Sequence, residues 1–194
     1  HIVFPYHKRI DALSEAKKGS SKVGTTNKGI GPCYADKINR VGLRMCDMID
    51  TEKFREKLAK EIDNKNDLIV KYYEAEPLDK EAMLDRFVSL AEELKPFITD
   101  TTVLVNNAIA EGKKVLFEGA QGSMLDIDLG TYPYVTSSHP LSGGFTTGAG
   151  VSPRAIDEII GIVKAYTTRV GAGPFVTEED NETGDRIREI GHEH

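Results

Sequence analysis

Apolar side chains recur at helical spacing through most of the first 112 residues. The first such run predicts a helix over residues 5–18, and Gly19 follows it at the position after a helix C terminus that glycine favours. Three further helices are predicted: one from Asp50 or Thr51, one from Pro77 to Pro96, and one from Asp100 to Gly112. In chain order, the apolar faces of these four predicted helices carry Tyr6, Ile10 and Leu13; Phe54, Leu58 and Ile62; Leu84, Phe87, Val88, Ala91 and Leu94; and Leu104, Val105, Ala108 and Ile109.

The pattern changes after Lys113. Val115–Phe117 is a short apolar run that precedes a glycine turn at residues 118–122, which favours a strand leading into a ligand site. Residues 126–150 predict a long loop region, Ser152 and Pro153 open a short helix, and residues 159–166 predict a buried strand. The expected fold is therefore α/β, with a helical subdomain (residues 1–112) inserted into part of a mostly parallel sheet (residues 113–194).

Composition limits the class of protein. The chain has 194 residues, 39% hydrophobic and 29% charged, with a net charge of -6, which is typical of a globular protein and argues against non-specific nucleic-acid binding. No apolar run reaches the roughly 20 residues that a membrane span needs, and no signal peptide is evident. A cytoplasmic location is expected. Cys33 and Cys46 are too few for a disulfide framework.

The candidate chemistry lies in a glycine-rich segment, residues 19–31, and in the basic run that follows it. Glycines let a backbone approach an anion, and the Thr26 hydroxyl can donate to that anion. Lys37 and Arg40 add positive charge three residues apart, so the segment suits a phosphate. A capped helix with a solvated basic face is the alternative, because exposed Lys and Arg are common.

Three other patterns indicate no site. Residues 19–25 have the glycine spacing of a phosphate loop but place Thr25 where its lysine belongs. Residues 64–67 match a short guanine-binding motif but lie in a charged helical stretch, where chance is the better explanation. His192 and His194 lie at a chain end, so no metal is assigned to them.

The run Gly-Ile-Gly-Pro-x-Tyr-x-x-Lys-x-x-Arg, residues 29–40, resembles the signature of the adenylosuccinate synthetase family. Four later segments resemble the middle of that family: residues 117–122, 125–128, 130–138 and 164–171. The chain departs from the family's commoner residues at Asn27, Lys28, Ser123, His139, Pro140 and Val176. The resemblance implies a core similar to that of P-loop NTPases.

The resemblance also implies a function and a set of site residues. Enzymes of this family are ligases that join L-aspartate to IMP with GTP and Mg²⁺, giving adenylosuccinate, GDP and phosphate in AMP biosynthesis. Thr26 and Thr136 are expected to contact IMP, with Thr26 at its 5'-phosphate. Arg40 is expected to reach that phosphate from the partner subunit of a homodimer, and Gln121 to address the hypoxanthine ring. Lys37 is the candidate catalytic residue, with a purely structural role as its alternative.

The resemblance further implies that the chain is a central fragment. The family's catalytic Asp and His, its magnesium ligand and its GTP phosphate loop precede the position matched by His1, so Mg²⁺ is expected to bind segments absent from this chain. The first hypothesis is a piece of the ligase that is inactive alone, with IMP, aspartate and GTP as its small-molecule partners. The second hypothesis is a non-catalytic module that binds a nucleotide phosphate or dimerises.

Overall fold

The structure is a computed structural model that describes residues 1–19, 24 and 26–192. In this part of the chain it contains helices α1 (Pro5–Lys17), α2 (Ile30–Asn39), α3 (Thr51–Lys71), α4 (Lys80–Leu94), α5 (Thr101–Ala110), α6 (Ser142–Ala149) and α7 (Glu182–Gly191). Short 3₁₀ turns span Met45–Ile49, Lys95–Phe97, Ser123–Leu125 and Pro153–Ala155. No described helix combines the length and the apolarity needed to cross a membrane.

Aspartate side chains begin the three helices α3, α4 and α5. Asp50, Asp79 and Asp100 each accept a hydrogen bond from the backbone N–H three residues later, at 3.2, 3.0 and 3.1 Å. Each cap satisfies an N–H group that has no partner within the helix and stabilises it by about 1 kcal/mol. The helices predicted in the first 112 residues are therefore confirmed, although α4 begins at Lys80 rather than at Pro77.

The core lies between α3, α4 and the segments that flank α1 and α2. Helix α3 packs against α4, the turn at Met45–Ile49 packs against both, and α1 packs against α2 and α3. The buried cluster consists of Phe4, Tyr6, Leu43, Met48, Phe54, Leu58, Ile62, Met83, Leu84 and Ala91. Removing side chains of this size from water stabilises the fold by roughly 1.5 to 3 kcal/mol each.

The prediction of a mostly parallel sheet is wrong for the described residues, which contain no strand. The two predicted strands, residues 115–117 and 159–166, are not assigned to any ladder, and no backbone hydrogen bond joins them to another described segment. Leu116 is 84% exposed and Ile162 is 93% exposed. A strand needs a neighbour for its N–H and C=O groups, and apolar content alone does not supply one.

Two other expectations after residue 100 were wrong, and one helix was not predicted. The apolar face of α5 is not buried, and Leu104 is 58% exposed. Helix α6 forms inside the predicted long loop. It was not predicted because its three glycines and two threonines have low helix propensity. Helix α7 forms near the C terminus, where Asn181 caps it by accepting from the N–H groups of Thr183 and Gly184.

Candidate functional site

A stripe of buried polar side chains runs along α1. His7, Asp11 and Glu15 are spaced by four residues, so they lie on one face of the helix. Asp11 Oδ2 accepts from Gly29 N at 3.0 Å, and Glu15 Oε2 accepts from Gly24 N at 3.1 Å. His7 Nε2 lies 2.9 Å from Asp36 Oδ2. We call these three side chains the α1 polar stripe; it contacts the glycine-rich segment at two points and the basic run at a third.

Gly29 permits the close approach of this segment to α1. Its φ is 77°, and a Cβ at this position would lie 2.7 Å from Lys8 N and 2.9 Å from the carbonyl carbon of His7. Both the left-handed backbone and the lack of space exclude other residues. The first glycine of the signature is therefore required by contact with α1, and its N–H group is already bonded to Asp11.

Helix α2 has one buried and one exposed face. Cys33 and Asp36 are buried, whereas Lys37 and Arg40 are exposed. Burial opposes ionisation of Asp36, but hydrogen bonds from His7 and Lys65 outweigh it and lower the pKa of this carboxyl below its usual value. One face of α2 therefore exposes Lys37 and Arg40 to solvent, and the opposite face is held by the contacts of Asp36 with His7 and Lys65.

Arg40 ends α2 in a left-handed conformation, with φ of 63°. Its N–H lies 3.2 Å from Lys37 O, within the last turn of the helix. Glycine or asparagine is the usual residue at such a helix end, because a Cβ costs free energy there. An arginine at this position is consistent with selection for its side chain rather than for its backbone.

Lys37 borders an open cleft of about 240 Å³. Its ammonium lies 5.4 Å from the centre of the Tyr34 ring, within the range of a cation–π contact. Burial is the main cause that raises the pKa of the neighbouring Cys33 thiol above its usual value. The cleft is lined by His1, Val3, Ile30, Cys33, Tyr34 and Lys37.

Asp126 organises a second loop, residues 122–139. It is 1% exposed, and its Oδ1 accepts from the N–H groups of Asp128 and Leu129 at 3.0 and 3.1 Å. His139 Nδ1 lies 3.3 Å from the other oxygen. Desolvation opposes ionisation, but these hydrogen bonds outweigh it, so the pKa of Asp126 lies below its usual value.

Backbone contacts fold the second loop back on itself and position Thr136. Thr136 N donates to Leu125 O at 2.8 Å, and Ile127 N donates to Ser138 O at 3.2 Å. The Thr136 side chain is half-buried. Because its backbone is bonded on a loop anchored by Asp126, Thr136 occupies a defined position rather than a mobile tip.

The structure brings the first segment and the second loop together. A Cβ on Gly31, in the first turn of α2, would lie 3.5 Å from Ser137 Oγ, next to Thr136. A Cβ on Gly24 would lie 3.0 Å from Gly171 Cα. Thr26 is exposed, as are the two residues that follow it, Asn27 and Lys28.

Gln121 follows the turn at residues 118–120 and is exposed, with φ of 61°. Nearby, a Cβ on Gly119 would lie 3.1 Å from Phe145 Cζ, so this turn packs on α6. Among the described residues, no hydrogen bond joins the Gln121 side chain to Thr26 or Thr136. Its role in a common site stays a prediction.

Comparison with known proteins decides the family. The family model for adenylosuccinate synthetase matches residues 1–194, the whole chain. This chain belongs to the adenylosuccinate synthetase family. The adenylosuccinate synthetases of Alkaliphilus metalliredigens and Clostridioides difficile are 60% and 58% identical to it over 193 and 194 residues. The chain is covered completely in both alignments and spans 45% of the length of each relative.

A solved structure supports the same assignment. The chain superposes on the fully ligated adenylosuccinate synthetase from Plasmodium falciparum with a TM-score of 0.93 and 42% identity. The match covers all of this chain and 45% of that one. The arrangement of the helices and of the second loop is therefore that of an adenylosuccinate synthetase segment.

Two departures from the family's commoner residues have a structural explanation. Asn27 stands where glycine is commoner, and its φ is 53°, a conformation that asparagine tolerates better than most residues. His139 stands where asparagine is commoner, and its imidazole approaches both Asp126 and Asp128. Both residues are therefore compatible with the local backbone and contacts at their positions.

The α1 polar stripe was not predicted, although the spacing of four between His7, Asp11 and Glu15 is visible in the sequence. The prediction of α1 rested on its apolar positions alone. The chance match at residues 64–67 lies within α3, where Lys65 pairs with Asp36 and Asn66 bonds the N–H and C=O of Leu78.

Two sequence patterns lie partly or wholly outside the described residues. In the stretch that resembles a phosphate loop, residues 20–23 and 25 lie outside the described residues. In the pair of C-terminal histidines, His194 lies outside them. Within the described ranges, no group of three His, Cys, Asp or Glu side chains is arranged to hold a metal ion.

Proposed function

We propose that this chain is the IMP-binding central segment of an adenylosuccinate synthetase, a ligase that joins L-aspartate to IMP with hydrolysis of GTP. The observation that supports the proposal is the approach of the first turn of α2 to the second loop, where a Cβ on Gly31 would lie 3.5 Å from Ser137 Oγ. Thr26 precedes this turn in the sequence, and Thr136 is the neighbour of Ser137. Hydroxyl donors from two separate segments can bind different polar groups of one nucleotide.

Each site residue has a proposed role. The hydroxyls of Thr26 and Thr136 donate to IMP, with Thr26 at its 5'-phosphate. Arg40 approaches that phosphate from the partner subunit of a homodimer, where a guanidinium forms strong charge-assisted hydrogen bonds. The Gln121 amide offers both a donor and an acceptor to the hypoxanthine ring. Lys37 adds positive charge beside the site, where it stabilises negative charge during phosphoryl transfer.

The reaction has two steps at the 6-position of IMP. The 6-oxygen of IMP first takes the terminal phosphoryl group of GTP, and the amine of aspartate then attacks carbon 6 and displaces that oxygen as phosphate. In this scheme residues 1–112 contribute Thr26, Lys37 and Arg40, and residues 113–194 contribute Gln121 and Thr136. These residues bind and orient IMP, and such positioning accounts for much of the rate enhancement in phosphoryl transfer.

GTP and Mg²⁺ belong to the proposed reaction but are not assigned to residues of this chain. Magnesium in nucleotide-dependent enzymes is bound largely by phosphate oxygens and water, with only one or two carboxylates from the protein. The described residues contain no group of three His, Cys, Asp or Glu side chains arranged around a metal ion. The proposed location is the cytoplasm, and neither nucleic acid nor a membrane is a proposed partner.

The test uses a polypeptide of full family length that contains this sequence. Product formation is measured against IMP, GTP and aspartate for the wild type and for Thr136→Val, which removes the hydroxyl and keeps the shape. The KM for IMP should rise about tenfold, since one hydroxyl donor to IMP is lost. Thr147→Val is the matched control on an exposed part of α6. Absence of ligation by the wild type, or an unchanged KM for IMP, would contradict the proposal.

A further inference from the structure

We propose that the α1 polar stripe is a positioning element that determines where residues 24–40 are presented to IMP. This inference rests on the proposed function, because it names the side chains that hold in place the segment proposed to bind the phosphate of IMP. His7, Asp11 and Glu15 do not touch the substrate in this proposal. They act through Asp36, Gly29 and Gly24, and so on the placement of Thr26, Lys37 and Arg40.

The contacts of the stripe are ordered along the segment. Successive side chains of α1, about 6 Å apart along the helix axis, meet the segment at Asp36, Gly29 and Gly24 in turn. A segment held at three points in register cannot slide along α1 without breaking all three bonds. Glycine-rich stretches have no such rigidity of their own, since glycine is conformationally permissive.

The stripe also decides which groups remain available to an anion. The N–H groups of Gly24 and Gly29 point toward carboxylates of α1, so they are directed away from a phosphate. This differs from the expectation that glycine backbone groups of this segment approach the anion. In this segment, the groups proposed to bind the phosphate are therefore the Thr26 hydroxyl and the exposed cations Lys37 and Arg40.

His7 is the best-defined member of the stripe. Its Nδ1 accepts from Phe4 N at 2.9 Å, so Nε2 carries the hydrogen that is donated to Asp36 Oδ2 at 2.9 Å. Lys65 binds the other oxygen of Asp36. The side chains of His7 and Asp36 are 1% and 7% exposed. This cross-link of α1, α2 and α3 lies one residue before Lys37 and four before Arg40.

Two variants of His7 separate its two hydrogen bonds, again in the polypeptide of full family length. His7→Gln places an amide N–H where Nε2 stood and keeps the donor to Asp36. His7→Asn keeps an acceptor for Phe4 N and removes that donor. We expect His7→Asn to raise the KM for IMP about tenfold, with little change in kcat or in the KM for GTP. His7→Gln should stay within about threefold of the wild type.

A control distinguishes positioning from general loss of stability. Leu58→Ala creates a cavity in the core and lowers the melting temperature, but it should leave the KM for IMP unchanged. The inference is overturned if Leu58→Ala raises the KM for IMP as much as His7→Asn does. It is also overturned if both His7 variants match the wild type. If His7→Asn does not fold, Asp11→Asn and Asp11→Leu make the same comparison at Gly29.

A second readout does not depend on catalysis. Amide hydrogen exchange in the 194-residue chain should become faster across α2 in His7→Asn than in His7→Gln, with α4 as the internal reference. If the wild-type enzyme fails to ligate aspartate to IMP, the proposed function fails, but exchange in α2 still tests the stripe. Equal exchange in the two variants would overturn the inference.

Discussion

The guanidinium of Arg169 donates to the backbone carbonyl oxygen of Tyr134 at 2.8 Å, across 35 residues of sequence. The same nitrogen lies 3.1 Å from Thr131 Oγ1 and 3.3 Å from Ala172 O. Arg169 therefore joins the chain after residue 166 to the loop that bears Thr136. Together with Asp126 it holds this loop from two sides.

Replacing Arg169 should loosen the second loop. Arg169→Lys keeps the charge but loses the planar arrangement in which Nε and Nη2 donate together, so the loop should lose about 1 to 3 kcal/mol of local stability. Amide exchange over residues 124–138 measures that loss. Arg188→Lys is the matched control, because Arg188 pairs only with the exposed Asp185 among the contacts described for it. Equal exchange in the two variants would show that Arg169 does not hold the loop.

Arg40→Gly should separate folding from binding. Glycine adopts the left-handed backbone of this helix end without penalty, so the free energy of unfolding should rise by up to about 1 kcal/mol. IMP use in the enzyme of full family length should weaken by about 2 to 4 kcal/mol, the scale of losing a charge-assisted partner. Chemical denaturation and steady-state kinetics measure the two effects.

Mixed dimers test whether Arg40 acts across subunits. An Arg40→Leu subunit combined with a Gln121→Ala subunit can form one intact site if the two residues of a site come from different chains. Activity of the mixture should then exceed that of either parent. Mixtures that never recover activity would place Arg40 outside the partner's site.

Acid should destabilise the chain partly through Asp36. Its pKa is lowered in the folded state, so its contribution to stability is present above the unfolded value of 3.8 and is lost as pH falls through the lower folded value. Asp36→Asn should flatten this part of the acid limb when unfolding by urea is followed from neutral pH down to about pH 2. Asp100→Asn, at an exposed helix cap, is the comparison. An unchanged slope for Asp36→Asn would contradict the assignment.

The isolated chain should self-associate through its exposed apolar segment at residues 159–163. Ile160 is 73% exposed and Ile162 is 93% exposed, and adjacent apolar groups of this kind mark association surfaces. Replacing both with lysine should reduce the mass measured by light scattering. Val176→Lys is the control at an isolated exposed position. Equal masses for the two variants would locate association elsewhere.

Local chemistry explains why much of the helical part was predictable. The caps at Asp50 and Asp100 and the apolar faces of α3 and α4 depend on residues within a few positions of each other. The family was also evident from residues 29–40, since a long spaced signature carries more information than any single glycine motif. The candidate site residues could be named from this resemblance, although their mutual arrangement could not.

The remaining features depend on partners that are distant in the sequence. Whether residues 159–166 form a strand depends on a neighbour with free N–H and C=O groups, which apolar content cannot reveal. The spacing of the α1 polar stripe is visible in the sequence, but its partners are not: His7 contacts Asp36, 29 residues away, and Asp11 contacts Gly29, 18 residues away. Sequence alone determined the family and four helices, α1, α3, α4 and α5. Tertiary structure decided which polar groups are buried and which stay exposed, because burial and hydrogen bonding at these positions require contacts between separate elements.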